Sequence, residues 1–88
     1  MARMIPAAER IVRARALIQK ARDLPVPLES GRNDFSYIAQ VKDIMQQARD
    51  LVKFIPYTAG VSAEMKDEVK KIFQETQQAE KEILHKEG

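Results

Sequence analysis

The 88-residue chain has no cysteine, no tryptophan, one histidine and three glycines. Without cysteine there is no disulfide staple and no thiolate metal site, and a single histidine excludes a structural zinc centre of the Cys/His kind. Gly31, Gly60 and Gly88 stand apart from one another, so no glycine-rich phosphate loop is present. No apolar run approaches the roughly 20 residues of a membrane span. At the start, MARMIPAAERIVRARALI, arginines interrupt what would be the apolar core of a secretory signal. Its arginine- and alanine-rich make-up resembles a transit peptide, but the same apolar periodicity runs on to Leu24, the mark of a first helix of the domain itself. A cytoplasmic protein is expected.

Catalytic patterns are equally thin. Glu82-x-x-His85 has the i,i+3 spacing of a carboxylate-bridged di-iron ligand pair, but such a site needs two of these motifs and two further inward-facing glutamates. As a general base, His85 lacks an orienting acid. Ser30, Ser36 and Ser62 stand in turn or cap positions, none within a Gly-x-Ser-x-Gly elbow. The expectation is a non-enzymatic chain with no cofactor and no metal.

What is present is amphipathic periodicity. In NDFSYIAQVKDIMQQARDLVKFI (33–55), Ile38, Val41, Met45, Ala48, Val52 and Ile55 recur at spacings of three and four. Tyr37, Ile44 and Leu51 widen this seam into an apolar arc of roughly 140°, more than one neighbour covers. A first helix has the seam Ala7, Ile11, Ala14, Ile18 and Ala21, with Leu17 and Leu24 beside it. Pro6 suits its first turn, Ile5 is a poor cap ahead of it, and Pro25 and Pro27 stop it. A third has Met65, Val69, Ile72, Thr76, Ala79 and Ile83, with Phe73 and Leu84 to one side. Ser62 is its expected N-cap, acids fill its first turns, and His85 and Lys86 suit its C-terminal dipole. Between the helices lie PVPLESGRN, with Ser30-Gly31 and the cap candidates Asn33 and Asp34, and the short PYTAG. Val26 and Leu28 are expected to tuck against the bundle end.

These readings give one all-α domain over residues 1–88, an antiparallel up-down-up three-helix bundle with helices near 6–24, 34–55 and 62–86. A chain this small buries only about 60–65% of its unfolded surface, so dimerisation could complete the core. A competing arrangement pairs the second and third helices with a second copy, the first packing outside. The third helix, at about 37 Å against about 28 Å for the first, is expected to overhang, fray or pair with another molecule.

Charge is unevenly spread beneath a net +2. Residues 1–25 hold six basic and two acidic side chains, residues 26–60 four of each, and residues 61–88 five lysines and seven acids. A basic first helix and an acidic last one can attract within the fold or between copies. Arg13 and Lys20 flank the first seam on one edge, Arg15 and Arg22 on the other. The opposite face, with Ala8, Val12 and Ala16, is under-polar for a solvated surface. It suggests a contact with a second copy or a helical partner, hence a self-associating interaction module or complex subunit. Phe35, Phe54 and Tyr57 lie off the core arc of the second helix. Folding over the bundle ends as caps is their expected role; otherwise they join an exposed partner patch. The competing function is nucleic-acid binding through Arg10, Arg13, Arg15, Lys20 and Arg22, with Arg3 ahead of them. The divergence of these residues to two edges and the absence of nearby aromatics count against it.

One internal echo remains. IVRARALIQKARDL (11–24) lies over IAQVKDIMQQARDL (38–51) at a constant offset, with Gln19-x-Ala21-Arg22-Asp23-Leu24 recurring as Gln46-x-Ala48-Arg49-Asp50-Leu51. Similar packing demands on two helices are the simpler explanation, and duplication the other.

Overall fold

The computed structural model describes residues 6–28 and 34–85. The features assigned to Arg3, Ile5, Ser30, Gly31, Asn33 and Lys86, and to the His85 side chain, lie outside what is described. Three α-helices pack on one another around one apolar cluster, with no strand among the described residues.

Helix α1 (Ala7–Asp23) begins behind Pro6, whose carbonyl accepts the Arg10 N–H at 3.0 Å; no side chain caps this end. It stops at Leu24, held extended (φ −61°, ψ 132°) because the following proline disfavours helix there. Helix α2 (Phe35–Val52) is capped by Asp34, whose carboxylate accepts the Tyr37 N–H at 3.1 Å. It ends three residues short of the expected Ile55. The chain passes instead into a 3-10 turn, Ile55–Tyr57, with Pro56 in its first turn, and Ile55 stays buried. Gly60, at φ 84°, reverses the chain where an L side chain would be strained. Ser62 then caps α3 (Ala63–His85) through its Oγ, which accepts the Met65 N–H at 3.2 Å.

The core is the meeting of three seams. From α1 come Ile11, Ala14, Ile18 and Ala21; from α2 and its extension Tyr37, Val41, Ile44, Met45, Ala48, Val52 and Ile55; from α3 Val69, Ile72, Thr76, Ala79 and Ile83. Met45, Ile72 and Val41 are fully enclosed, each worth roughly 1.5–3 kcal/mol of burial. The alanines at 14, 21, 48 and 79 let backbones approach closely, and α1 makes its most extensive contact with α2.

Three local expectations change. Ile38 is only half-buried, because the centre of the α2 arc lies toward Tyr37 and Ile44, both fully in the core. Leu28 does not tuck in: it is fully exposed, whereas Val26 packs against the core. The extra length of α3 is absorbed within the molecule. The 3-10 turn packs on α3, Val61 and Met65 lie against the core near its start, and Ile83 near its end is buried.

Candidate interaction surface

The two edges of α1 are in different states. On one, Arg15 donates from Nη1 to Glu68 Oε2 at 2.6 Å and from Nε to Glu75 Oε2 at 3.4 Å. One heptad on, Arg22 Nη1 reaches Glu82 Oε2 at 2.8 Å. The acids at 68, 75 and 82 are spaced by seven, as are the arginines, so the pairs climb together and α1 and α3 run parallel. The predicted attraction between a basic first helix and an acidic last one is therefore satisfied inside the fold. Arg15's hydrogen bond holds the Glu68 carboxyl below the usual carboxylate range, with Lys71 adding a smaller pull.

The other edge carries Arg13 and Lys20, again seven apart and both exposed. Among the described residues Arg13 forms an ion pair with Glu9 of its own helix, at 3.3 Å, and none pairs with Lys20. Between α1 and α2 on this side runs an open groove of about 380 Å³ lined by Arg13, Ala16, Leu17, Lys20 and Leu51. Two cations and three apolar side chains form it, and no acid does. Ala16 also belongs to the back of α1, where Val12, one turn away, is 66% exposed; Ala8, also exposed, lines a separate groove on the α3 side.

Phe35, Phe54 and Tyr57 do not cap the bundle, contrary to the first expectation for them: they are 89%, 62% and 86% exposed. Phe35 stands off the seam at the start of α2, Phe54 lies beside the 3-10 turn and Tyr57 within it, and no described residue buries them. They do not form one patch either. Phe35 begins α2 and Phe54 follows its end, about 28 Å away along the axis. Phe54 instead lies three residues beyond Leu51, toward the groove end of the molecule, with Lys53 Nζ 5.1 Å from its ring centre.

The five cations considered for nucleic acid are accordingly divided. Arg15 and Arg22 are tied to α3 and Arg13 to Glu9, Arg10 is half-buried, and Lys20 has no partner among the described residues. No described group of three His, Cys, Asp or Glu residues is arranged to hold a metal ion. No described helix is long and apolar enough to cross a membrane. Two further grooves carry acids: one holds Glu64 and Glu68 beside Ala8, Ile11 and Met65, and the more polar other holds Arg22, Lys71 and Glu75.

The internal echo has a structural counterpart. Gln19 donates to Asp23 at 2.9 Å and Gln46 to Asp50 at 2.9 Å; Ala21 and Ala48 are both fully buried. Arg22 and Arg49 both reach α3, the first at Glu82, the second at the Thr76 hydroxyl (3.1 Å) and Glu80 (3.9 Å). Thr76 Oγ1, fully buried, also donates to the Phe73 carbonyl at 2.7 Å. The Gln46 bond, then the nearby Lys53, holds the Asp50 carboxyl below its ordinary range. The two ARDL words do the same packing work.

Leu17 and Leu51 are the groove residues that the sequence pattern left beside the seams rather than on a surface. The signal was there: both extend an apolar arc past its centre, on the side where Arg13 and Lys20 lie. Comparison of the chain with family models, with curated proteins and with solved structures returns no match.

Proposed function

We propose that the chain is a small non-enzymatic helical interaction module, self-associating or joining another helical protein through the outer side of α1 and α2. One observation carries this reading: Leu17, Leu51 and Ala16 line a groove that no other described residue fills, and the exposed Val12 lies one turn from Ala16 on the same helix. A domain this small gains from covering such a surface, and an apolar centre with a charged rim is the anatomy of a docking face. The length of α3, which the fold takes up internally, lends no support.

Sedimentation velocity at micromolar concentration, paired with retention of partners on the immobilised chain, tests the proposal. The expected result is a complex formed by the parent chain and lost with Ala16→Glu. A monomer that retains nothing the variant lacks would overturn it.

Nucleic-acid binding through α1 is the second reading, and it rests now on Lys20, on Arg13 with its exposed partner Glu9 and on the half-buried Arg10, since Arg15 and Arg22 already meet carboxylates of α3. It requires a duplex or RNA mobility shift that weakens steeply with salt and with Arg13→Glu plus Lys20→Glu. Unchanged mobility at low salt removes it.

A further inference from the structure

We infer that the groove between α1 and α2 receives an acidic amphipathic helix of a different protein. Its carboxylates, seven residues apart, pair with Arg13 and Lys20 while its apolar side chains cover Leu17 and Leu51. This deepens the module reading above, on which it rests, by naming the partner's chemistry.

The molecule contains its own template for the contact. On the opposite edge of α1, cations at the same spacing, Arg15 and Arg22, are met by α3, whose glutamates recur every seven residues and whose apolar seam fills the space beside them. Seven residues are two helical turns, about 10.5 Å, so a helix lying alongside returns the same face to each cation in turn. The Arg13–Lys20 edge repeats this geometry with Leu17 midway between the charges and Leu51 on the facing helix. The groove's lining offers cations and apolar carbon but no carboxylate, and the Glu9 that meets Arg13 lies outside that lining, so the groove favours an acidic helix over a basic one. A docked helix would make a fourth member of the bundle, at the shallow crossing angle such packing favours.

The same observation argues against a second copy as occupant. The heptad-spaced acids a second copy would bring are already engaged in their own chain: Glu68, Glu75 and Glu82 of α3 with Arg15 and Arg22, and Asp43 and Asp50 of α2 with Gln47, Gln46 and Lys53 of the same helix and its C-cap. A phosphate backbone would match the cations but leave Leu17 and Leu51 uncovered.

The test is fluorescence anisotropy on the full chain with a labelled peptide of about three heptads, leucines forming its stripe and glutamates flanking it. A matched peptide carries lysine for every glutamate. Expected is micromolar binding of the acidic peptide alone, weakened at least about tenfold by Arg13→Glu plus Lys20→Glu. Lys70→Glu, an exposed site on α3, should change it little, and far-ultraviolet circular dichroism melts verify that each variant folds. Leu51→Gln provides a second variant, expected to weaken binding without altering charge. Equal binding of both peptides, no binding of the acidic one, or equal loss with Lys70→Glu would overturn the inference. A chain that self-associates yet ignores the acidic peptide removes this inference and leaves the module reading standing. A monomer that binds neither the peptide nor any partner removes both.

Discussion

The two edges of α1 begin from the same sequence device and end differently. Each has a pair of cations seven residues apart beside an apolar seam. At Arg15 and Arg22 the pair is closed by Glu68, Glu75 and Glu82 of α3; at Arg13 and Lys20 it faces an open groove. A count of basic residues on this helix therefore overstates the charge available to a partner. Which cations are free is decided by where the next helix lies. Charge neutralised within the fold contributes to holding helices in register, and charge left at a groove rim contributes to choosing what binds there.

The largest separation between the closed and open sides should come from packing. Ala14 is fully buried at the helix contact, so Ala14→Leu forces overpacking that costs about 1–3 kcal/mol. Ala16→Leu, on the open face, should stay within about 0.5 kcal/mol of the parent in urea denaturation. Equal effects would mean that the Ala16 face is covered too. Within the buried seam, Thr76→Val removes the hydroxyl that accepts from Arg49 and should cost about 1–2 kcal/mol.

Charge should separate the edges less. Arg15 holds two carboxylates but is itself well exposed, so Arg15→Ala should cost no more than about 1 kcal/mol, shrinking as salt is added. Arg13→Ala removes one exposed pair within its own helix and should cost about 0.3 kcal/mol. Identical losses would erase the distinction between the edges.

The smallest effect is in the pH dependence. Because Arg15's hydrogen bond lowers the Glu68 carboxyl, the folded chain binds that proton less readily than the unfolded chain does. The resulting stabilisation is fully present above the unfolded glutamate value of about 4.3 and is lost as pH falls through the lowered folded value. Arg15→Ala should flatten this acid limb of the stability curve. Lys20→Ala should leave it unchanged. An unchanged limb in the Arg15 variant would contradict the role given to that pair.

Much of this architecture was legible beforehand because periodicity and punctuation agreed. Pro25 and Pro27 end α1, Asp34 and Ser62 cap the next two helices, and the seams through Ala14, Val41 and Ile72 lead straight to the core. The last turn of α2 was less legible, since Ile55 keeps the helical spacing even where Pro56 has changed the backbone to a 3-10 turn. Periodicity reports which side of the chain is buried, not which hydrogen bonds it makes. For the candidate surface, the under-polar back of α1 at Ala8, Val12 and Ala16 was readable from pattern alone. The fate of the arginines was not, because helical spacing assigns a residue to an edge without saying whether another helix flanks that edge. The capping role expected of Phe35, Phe54 and Tyr57 failed for a related reason: an aromatic off the seam folds inward only where a neighbour leaves room beneath it. The ARDL echo was visible in the letters, but its meaning came only from Arg22 and Arg49 both reaching α3.

The open edge of α1 as a docking face is tested most directly by mapping amide chemical shifts of the isotope-labelled chain during titration with the acidic amphipathic peptide. Shifts concentrated on residues 13–20 of α1 and on Leu51 through Phe54 are the predicted result. Shifts centred on Glu68, Glu75 and Glu82, or spread evenly over every basic side chain, would contradict it.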